Sequence, residues 1–303
     1  MFLKRFYIFK DNNMLWSKKF NRLSVGICLL ITMVSFAQKG IPYKIYSAKG
    51  KTVSFEKMTR QLKQADVVLF GEFHDNSLGH WLQLEVLKSL QVSNRLILGA
   101  EMFEADNQSG LSAYLKSEIS EDEFSKDVRL WPNYKTDYKP LVDFAKDHKI
   151  PFIATNVPRR YASQIYKQGI PSLDSLSAEE KLWIAPLPFP YDANLPGYKK
   201  MMNMFEGEHS NDNLPKAQAV KDATMAYFIV QNFKKGNLFL HFNGAYHSNF
   251  HEGIVWYLNR YSADLRTVTI SMVVQDDVFE WNTENNGMAD FIIVIDRNIT
   301  KTF

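Results

Sequence analysis

The sequence predicts an α/β fold: a mostly parallel central sheet flanked by helices on both faces, with a proline-rich helical insertion or lid. Three observations lead there. Short, continuous apolar runs such as Val67-Val68-Leu69-Phe70 read as strands buried on both faces. These runs alternate with helix-length amphipathic stretches, which implies β-α units and parallel pairing. The alternation breaks only between about 170 and 213, where Pro171, Pro186, Pro188, Pro190 and Pro196 fall among short helical stretches.

Taken in order, Lys44-Ile45-Tyr46 and Thr52-Val53 flank Ala48-Lys49-Gly50-Lys51 as a hairpin, and Ser54 is placed to cap a helix running to about Gln64. After the Val67–Phe70 strand, Leu78–Leu90 carries Leu82, Val86 and Leu90 on one helical face. Arg95–Ala100 is the next strand, Leu111, Tyr114 and Leu115 mark a helix, Pro140–His148 forms another, and Pro151–Thr155 is again a strand. Beyond the insertion, Lys216–Phe233 reads as a long helix, Leu238–Phe242 as a strand and Phe250–Tyr261 as a helix. Thr267–Ile270 and Phe291–Ile295 complete the strands.

The first 37 residues read as a cleavable export signal. Lys18, Lys19 and Arg22 form a positive region, Leu23–Phe36 an apolar stretch too short to span a bilayer comfortably, and Ser35-Phe36-Ala37 a peptidase site. Met14 serves as well as Met1 for a start. Cys28, the only cysteine, sits inside the apolar stretch beside Ile27, which argues against lipid anchoring. The expected mature chain, 38–303, is therefore a single exported domain without a transmembrane span, destined for the periplasm or the exterior. It has no thiol, which excludes disulfides, Cys-ligated zinc and iron–sulfur clusters.

Charge excludes another class. Residues 1–37 hold six of the 36 Lys and Arg and one of the 33 Asp and Glu, leaving 30 and 32, a net of −2. Nothing there points to nucleic acid. The aromatic fraction of 14% is high enough to line a pocket as well as a core.

In a parallel sheet, ligands bind beyond the carboxyl ends of the strands, so the residues there carry the functional reading. Gly71-Glu72-Phe73-His74 follows the first buried strand, Glu101 ends the second and Asn156 the third, with Arg159 and Arg160 entering the next helix. Asn243-Gly244-Ala245-Tyr246-His247 follows the later strand, with His251 four residues after His247 and on the same helix face if the helix starts early enough. Glu72, His74, Glu101 and His247 can converge as metal ligands or as an acid–base cluster, with Asn156, Arg159 and Asp222 in support. The alternative is that Glu72 and Glu101 cap the helices that follow. Asp222, in a helix interior, needs a partner, and Arg159 or Arg160 is expected to supply it. His80 and His148 read as satisfied or helix-end histidines. There is no Gly-x-Gly-x-x-Gly, P-loop, Gly-x-Ser-x-Gly or His-Glu-x-x-His.

The ordered set Phe70–Asn76, Gln83-Leu84, Glu101-Met102-Phe103, Trp131 with Tyr134, Asn156-Val157-Pro158-Arg159, Asp222–Ala226 and Gly244–His247 resembles the ChaN-like haem-binding uptake proteins of the Tiki superfamily. That superfamily also includes TraB-type and erythromycin-esterase-like members. The similarity runs from about Tyr43 to Ile295. Departures are Ser77-Leu78-Gly79-His80 after the first motif, Tyr246 where Gly is frequent, and the absence of a lipobox.

The resemblance implies two functions. One is haem binding in iron or haem acquisition at the cell envelope, at a surface formed partly by a homodimer. Among side chains able to face a planar ligand, Tyr134, Tyr138, Met204 and His209 are the candidates, with Tyr138 and His209 as axial ligands. The other is a metal-dependent hydrolase of Tiki type, a peptidase or esterase, with manganese, cobalt or zinc held by Glu72, His74, Glu101 and His247.

Overall fold

The computed structural model describes residues 40–203 and 211–303. The segment 1–37 expected to be an export signal, with Cys28, and the haem candidates Met204 and His209 lie outside these described residues. Tyr43–Phe303 forms one compact unit, and no helix among the described residues is long and apolar enough to cross a membrane.

The strands are β1 (Tyr43–Ser47), β2 (Thr52–Val53), β3 (Val67–Glu72), β4 (Arg95–Glu104), β5 (Phe152–Asn156), β6 (Asn237–Gly244), β7 (Thr267–Gln275) and β8 (Phe291–Asp296). They form one sheet in the order β2-β1-β8-β7-β3-β6-β4-β5. β3 to β8 pair in parallel, and β1 is antiparallel to both β2 and β8. β6 arrives late in the chain yet inserts between β3 and β4. Its register with β3 places Gly244 beside Glu72.

The helices are α1 (Phe55–Leu62), α2 (Ser77–Gln91), α3 (Gln108–Leu115), α4 (Glu121–Asp127), α5 (Lys139–Asp147), α6 (Arg159–Gln168), α7 (Pro196–Asn203), α8 (Leu214–Asn232) and α9 (Ile254–Tyr261). Their starts follow local chemistry. The Ser54 side chain accepts from the Lys57 N–H, and Asn76 does the same for Gly79 at the head of α2. Ser120 and Glu123 form a reciprocal capping box on α4.

Because side chains alternate across a strand, β3 supplies two cores. Val68 and Phe70 pack with Leu82, Val86, Phe124 and Leu141 on one face. Val67 and Leu69 pack with Ile165, Val220, Ile254 and Leu258 on the other. The proline-rich insertion belongs to this second core: Leu173, Ile184, Phe189 and Tyr198 are buried in it.

Two strands run further than their apolar sequences suggest. β3 continues through Gly71 and Glu72, which pairs with Gly244, and β4 through Glu104, so Glu72 and Glu101 are both strand residues. One helix is shorter than expected. α9 begins at Ile254, and Phe250 and His251 adopt left-handed φ of 59° and 57° in the turn before it. His247 and His251 therefore do not share a helix face: His247 is buried and His251 exposed.

Candidate functional site

The carboxyl ends of β3, β6 and β4 bring Glu72, His74, Glu101 and His247 around Gly244. A Cβ at Gly244 would lie 2.9 Å from His74 Nε2 and 3.4 Å from Glu101 Oε2. No other residue fits between them without displacing an imidazole.

On one side of Gly244, Glu72 is buried and accepts at one oxygen from Tyr138 Oη, 2.7 Å away, and pairs with His74 Nδ1 at 2.8 Å. Its other oxygen accepts from the Gln83 amide. His80, buried in α2, bonds Gln83 at 3.1 Å and the His74 carbonyl at 3.1 Å, so it is a satisfied histidine that braces the loop. Asn133 donates to the same carbonyl at 3.0 Å. His74 itself keeps 37% of its side chain exposed, edge-on to Trp131. Burial opposes its charge, but the Glu72 hydrogen bond and the nearby Glu101 outweigh it and raise its pKa.

On the other side lies a buried chain of charges. His247 Nε2 is 3.1 Å from Glu101, and its Nδ1 is 2.5 Å from Asp222. The far oxygen of Asp222 accepts from Tyr198 Oη at 2.9 Å, and Glu101 also accepts the Gly244 N–H at 2.7 Å. Desolvation works against the His247 charge, yet two flanking carboxylates push its pKa up to about 9. Glu101, despite burial, is held well below the usual carboxylate range by His247. Burial wins at Asp222, whose pKa is raised.

The geometry corrects several expectations. Asp222 is partnered by His247 and Tyr198, not by an arginine. Arg159 is exposed at the start of α6, and Arg160 instead pairs with Asp106 at 2.7 Å. Neither glutamate caps a helix, since Asn76 holds that role on α2 and Glu101 turns across the sheet to β6. Asn156 is buried, donates to the Glu101 carbonyl at 2.9 Å, and leaves its side-chain oxygen without a partner. Tyr134 and Tyr138, expected to face a planar ligand, are 3% and 2% exposed within the hydrophobic core. An axial role for Tyr138 would require surrendering its bond to Glu72. Gln83 falls in the motif set read from the sequence, but nothing local gives it, Tyr198 or Gln218 a role in holding these charges. Gln218 lies 3.0 Å from His247 Nδ1.

Chemically, His247 is a fixed cation at neutral pH, held by two carboxylates and sealed from solvent. His74 is the accessible acid–base group, with one ring nitrogen fixed by Glu72 and the other facing Gly244. Among the described residues, no group of three or more His, Cys, Asp or Glu is arranged to hold a metal ion. The ligating atoms of Glu101 and His247 are taken up by each other, by the Gly244 N–H and by Asp222.

The family model for haem-binding uptake proteins of the Tiki superfamily, ChaN, matches residues 58–258. The chain belongs to this family. Among solved structures, it is similar to ChaN of Campylobacter jejuni, a structure described as cofacial haem binding. The two share 19% identity over 84% of this chain and 98% of that one, with a TM-score of 0.62. A Bacillus cereus protein matches at 12% identity over 84% and 95% of the two chains, TM-score 0.49. RRSP, a MARTX toxin effector domain from Vibrio vulnificus, matches at 15% over 80% and 39%, TM-score 0.42. No curated protein sequence matches. The mostly parallel α/β architecture is thus that of the ChaN fold.

Proposed function

We propose that this chain binds haem at the cell envelope and serves iron or haem acquisition, exported by the leader at residues 1–37 to the periplasm or the exterior. Membership of the haem-binding uptake family carries this reading. The residues present fit the group. Haem needs apolar planar contact and an axial nitrogen, oxygen or sulfur donor. Phe73, Tyr246 and Phe250 are exposed beyond the ends of β3 and β6, and His74 and His251 are accessible imidazoles in the same two turns. A carboxylate on the far ring nitrogen, as Glu72 provides for His74, fixes the tautomer and strengthens an imidazole ligand. When bound, haem would supply an iron able to take an axial ligand. Met204 and His209 remain candidates on sequence grounds, and a homodimer that apposes two such faces belongs to the same proposal.

The test is a haemin titration of the purified protein followed at the Soret band, repeated for His74→Ala, His251→Ala and His209→Ala. A saturable, red-shifted band at stoichiometric ratio, lost in one of these variants, supports the reading and identifies the ligand. A titration indistinguishable from free haemin refutes it.

A second reading, hydrolysis of a peptide or ester bond, is favoured by one observation: the buried Glu101–His247–Asp222 chain beside a half-exposed, carboxylate-held His74. The paired side chains do not fit a metal centre, so the version supported is acid–base, with His74 as general base. Turnover of a chromogenic ester that His74→Ala abolishes would support it. No turnover, with or without added manganese, cobalt or zinc, would remove it.

A further inference from the structure

At the opposite end of the sheet, α3, α5 and the start of β5 enclose a groove of about 550 Å³ that the site described above does not use. That volume falls within the range of small-molecule pockets, ~300–1,000 Å³. Leu115, Pro151 and Ile153 form its apolar wall over the buried Ala145, Ile150 and Phe152, and Gln108, Ser112, Ser117 and three lysines, Lys116, Lys146 and Lys149, line it as well. Lys146 also lies 3.9 Å above the Tyr114 ring, and Lys116 is 4.0 Å from exposed Glu118. No ion pair engages Lys146 or Lys149 among the described residues. Lys149 and Ser117 hold left-handed φ of 55° and 61° where α5 and α3 end, positions at which glycine is the usual residue.

Three features decide what such a groove can hold. β5 is an edge strand, but its outward groups are already taken: Gln108 donates to the Phe152 carbonyl at 3.1 Å and accepts from the Ala154 N–H at 2.7 Å. A peptide adding as a strand would find nothing to pair with there. The lining contains no His, Tyr, Met or Cys, so a haem would lack an axial donor. The α3 helix lines the groove along its length, from Gln108 to Leu115, α5 meets it at its C-terminus, and the cations are lysines rather than forked arginines. Those properties disfavour a phosphate and suit a singly charged carboxylate on an apolar chain.

We propose that this groove binds a long-chain fatty acid, its acyl chain along Leu115, Pro151 and Ile153 and its carboxylate among Lys116, Lys146 and Lys149. The probe is cis-parinaric acid, whose fluorescence rises in an apolar environment, titrated into the purified protein. Saturable one-to-one binding is expected, at least tenfold weaker in the double variant Lys116→Gln/Lys149→Gly and unchanged in His74→Ala. Glycine suits the backbone at 149, so the variant retains its fold, which circular dichroism verifies. No saturable signal, or affinities equal within twofold in the double variant, would overturn the proposal. Displacement of the probe by equimolar haemin or by a lysophospholipid, but not by oleate, would also overturn it by naming a different occupant.

Discussion

Replacing His247 by glutamine is the perturbation whose size the structure defines best. His247 and Glu101 are each 5% exposed and Asp222 1%, so removing the imidazolium strands two carboxylates in the interior. Breaking a buried pair from one side costs about 3–5 kcal/mol. The proton affinity of His247 gives an independent figure: a pKa of about 9 against 6.5 for the free side chain corresponds to about 3 kcal/mol. Since the folded state holds this proton more tightly than the unfolded chain, the contribution is complete below pH 6.5. It declines as pH rises toward 9 and is absent above that. Urea unfolding followed by circular dichroism should therefore show His247→Gln less stable at pH 6.5 by about 3 kcal/mol or more, with Tm lowered by roughly 10 °C. Wild type should lose stability between pH 6.5 and 9.5, and the variant should lack that slope. The triple change Glu101→Gln/Asp222→Asn/His247→Gln should recover part of the loss, because no charge is left unpaired. A variant within 1 kcal/mol of wild type, together with a flat wild-type profile over this pH range, would refute the ion-chain description.

Three further outcomes are expected. Gly244→Ala places a methyl 2.9 Å from His74 Nε2 and should cost about 1–3 kcal/mol through overpacking; thermal unfolding measures it, and the haemin titration should weaken in parallel if His74 is a ligand. Tyr138→Phe removes the 2.7 Å donor to buried Glu72 and should cost about 1–3 kcal/mol in chemical denaturation, while the Soret spectrum of the haem complex stays unchanged because the ring does not reach the surface. Lys149→Gly relieves a left-handed lysine and should raise stability by about 1 kcal/mol in the same assay; a loss would show that the lysine side chain contributes more than its backbone costs.

Much of this was legible in the residue order. Val67–Phe70 reads as a strand covered on both faces, because four successive apolar residues, β-branched at the start, leave none for solvent. Ser54 announces a helix start from its own hydroxyl and the spacing to Lys57. Glu72, His74, Glu101 and His247 were singled out because chemistry-bearing residues at several strand ends must meet once the strands are parallel. The same local logic failed where a contact is long-range. The sequence marks Asp222 as a buried acid in need of a partner but not which one. The nearest candidates by motif were arginines, whereas the partner is a histidine 25 residues away. Tyr134 and Tyr138 look alike for a pocket or for a core, and only packing against Phe103, Phe124 and Trp131 makes them core.

What the sequence determined by itself was the fold class and which chemistry-bearing residues stand at the strand ends, since each depends on composition or on spacing within a few residues. The tertiary structure decided how those residues are arranged. β6 enters between β3 and β4, which places Gly244 between His74 and Glu101 and locks His247 between Glu101 and Asp222. Strand order is settled by the packing of distant helices, so it leaves no local mark on the chain. The pKa values follow from it: an imidazole's proton affinity depends on which carboxylates face it and how much water is excluded, and neither is a property of the sequence around His247.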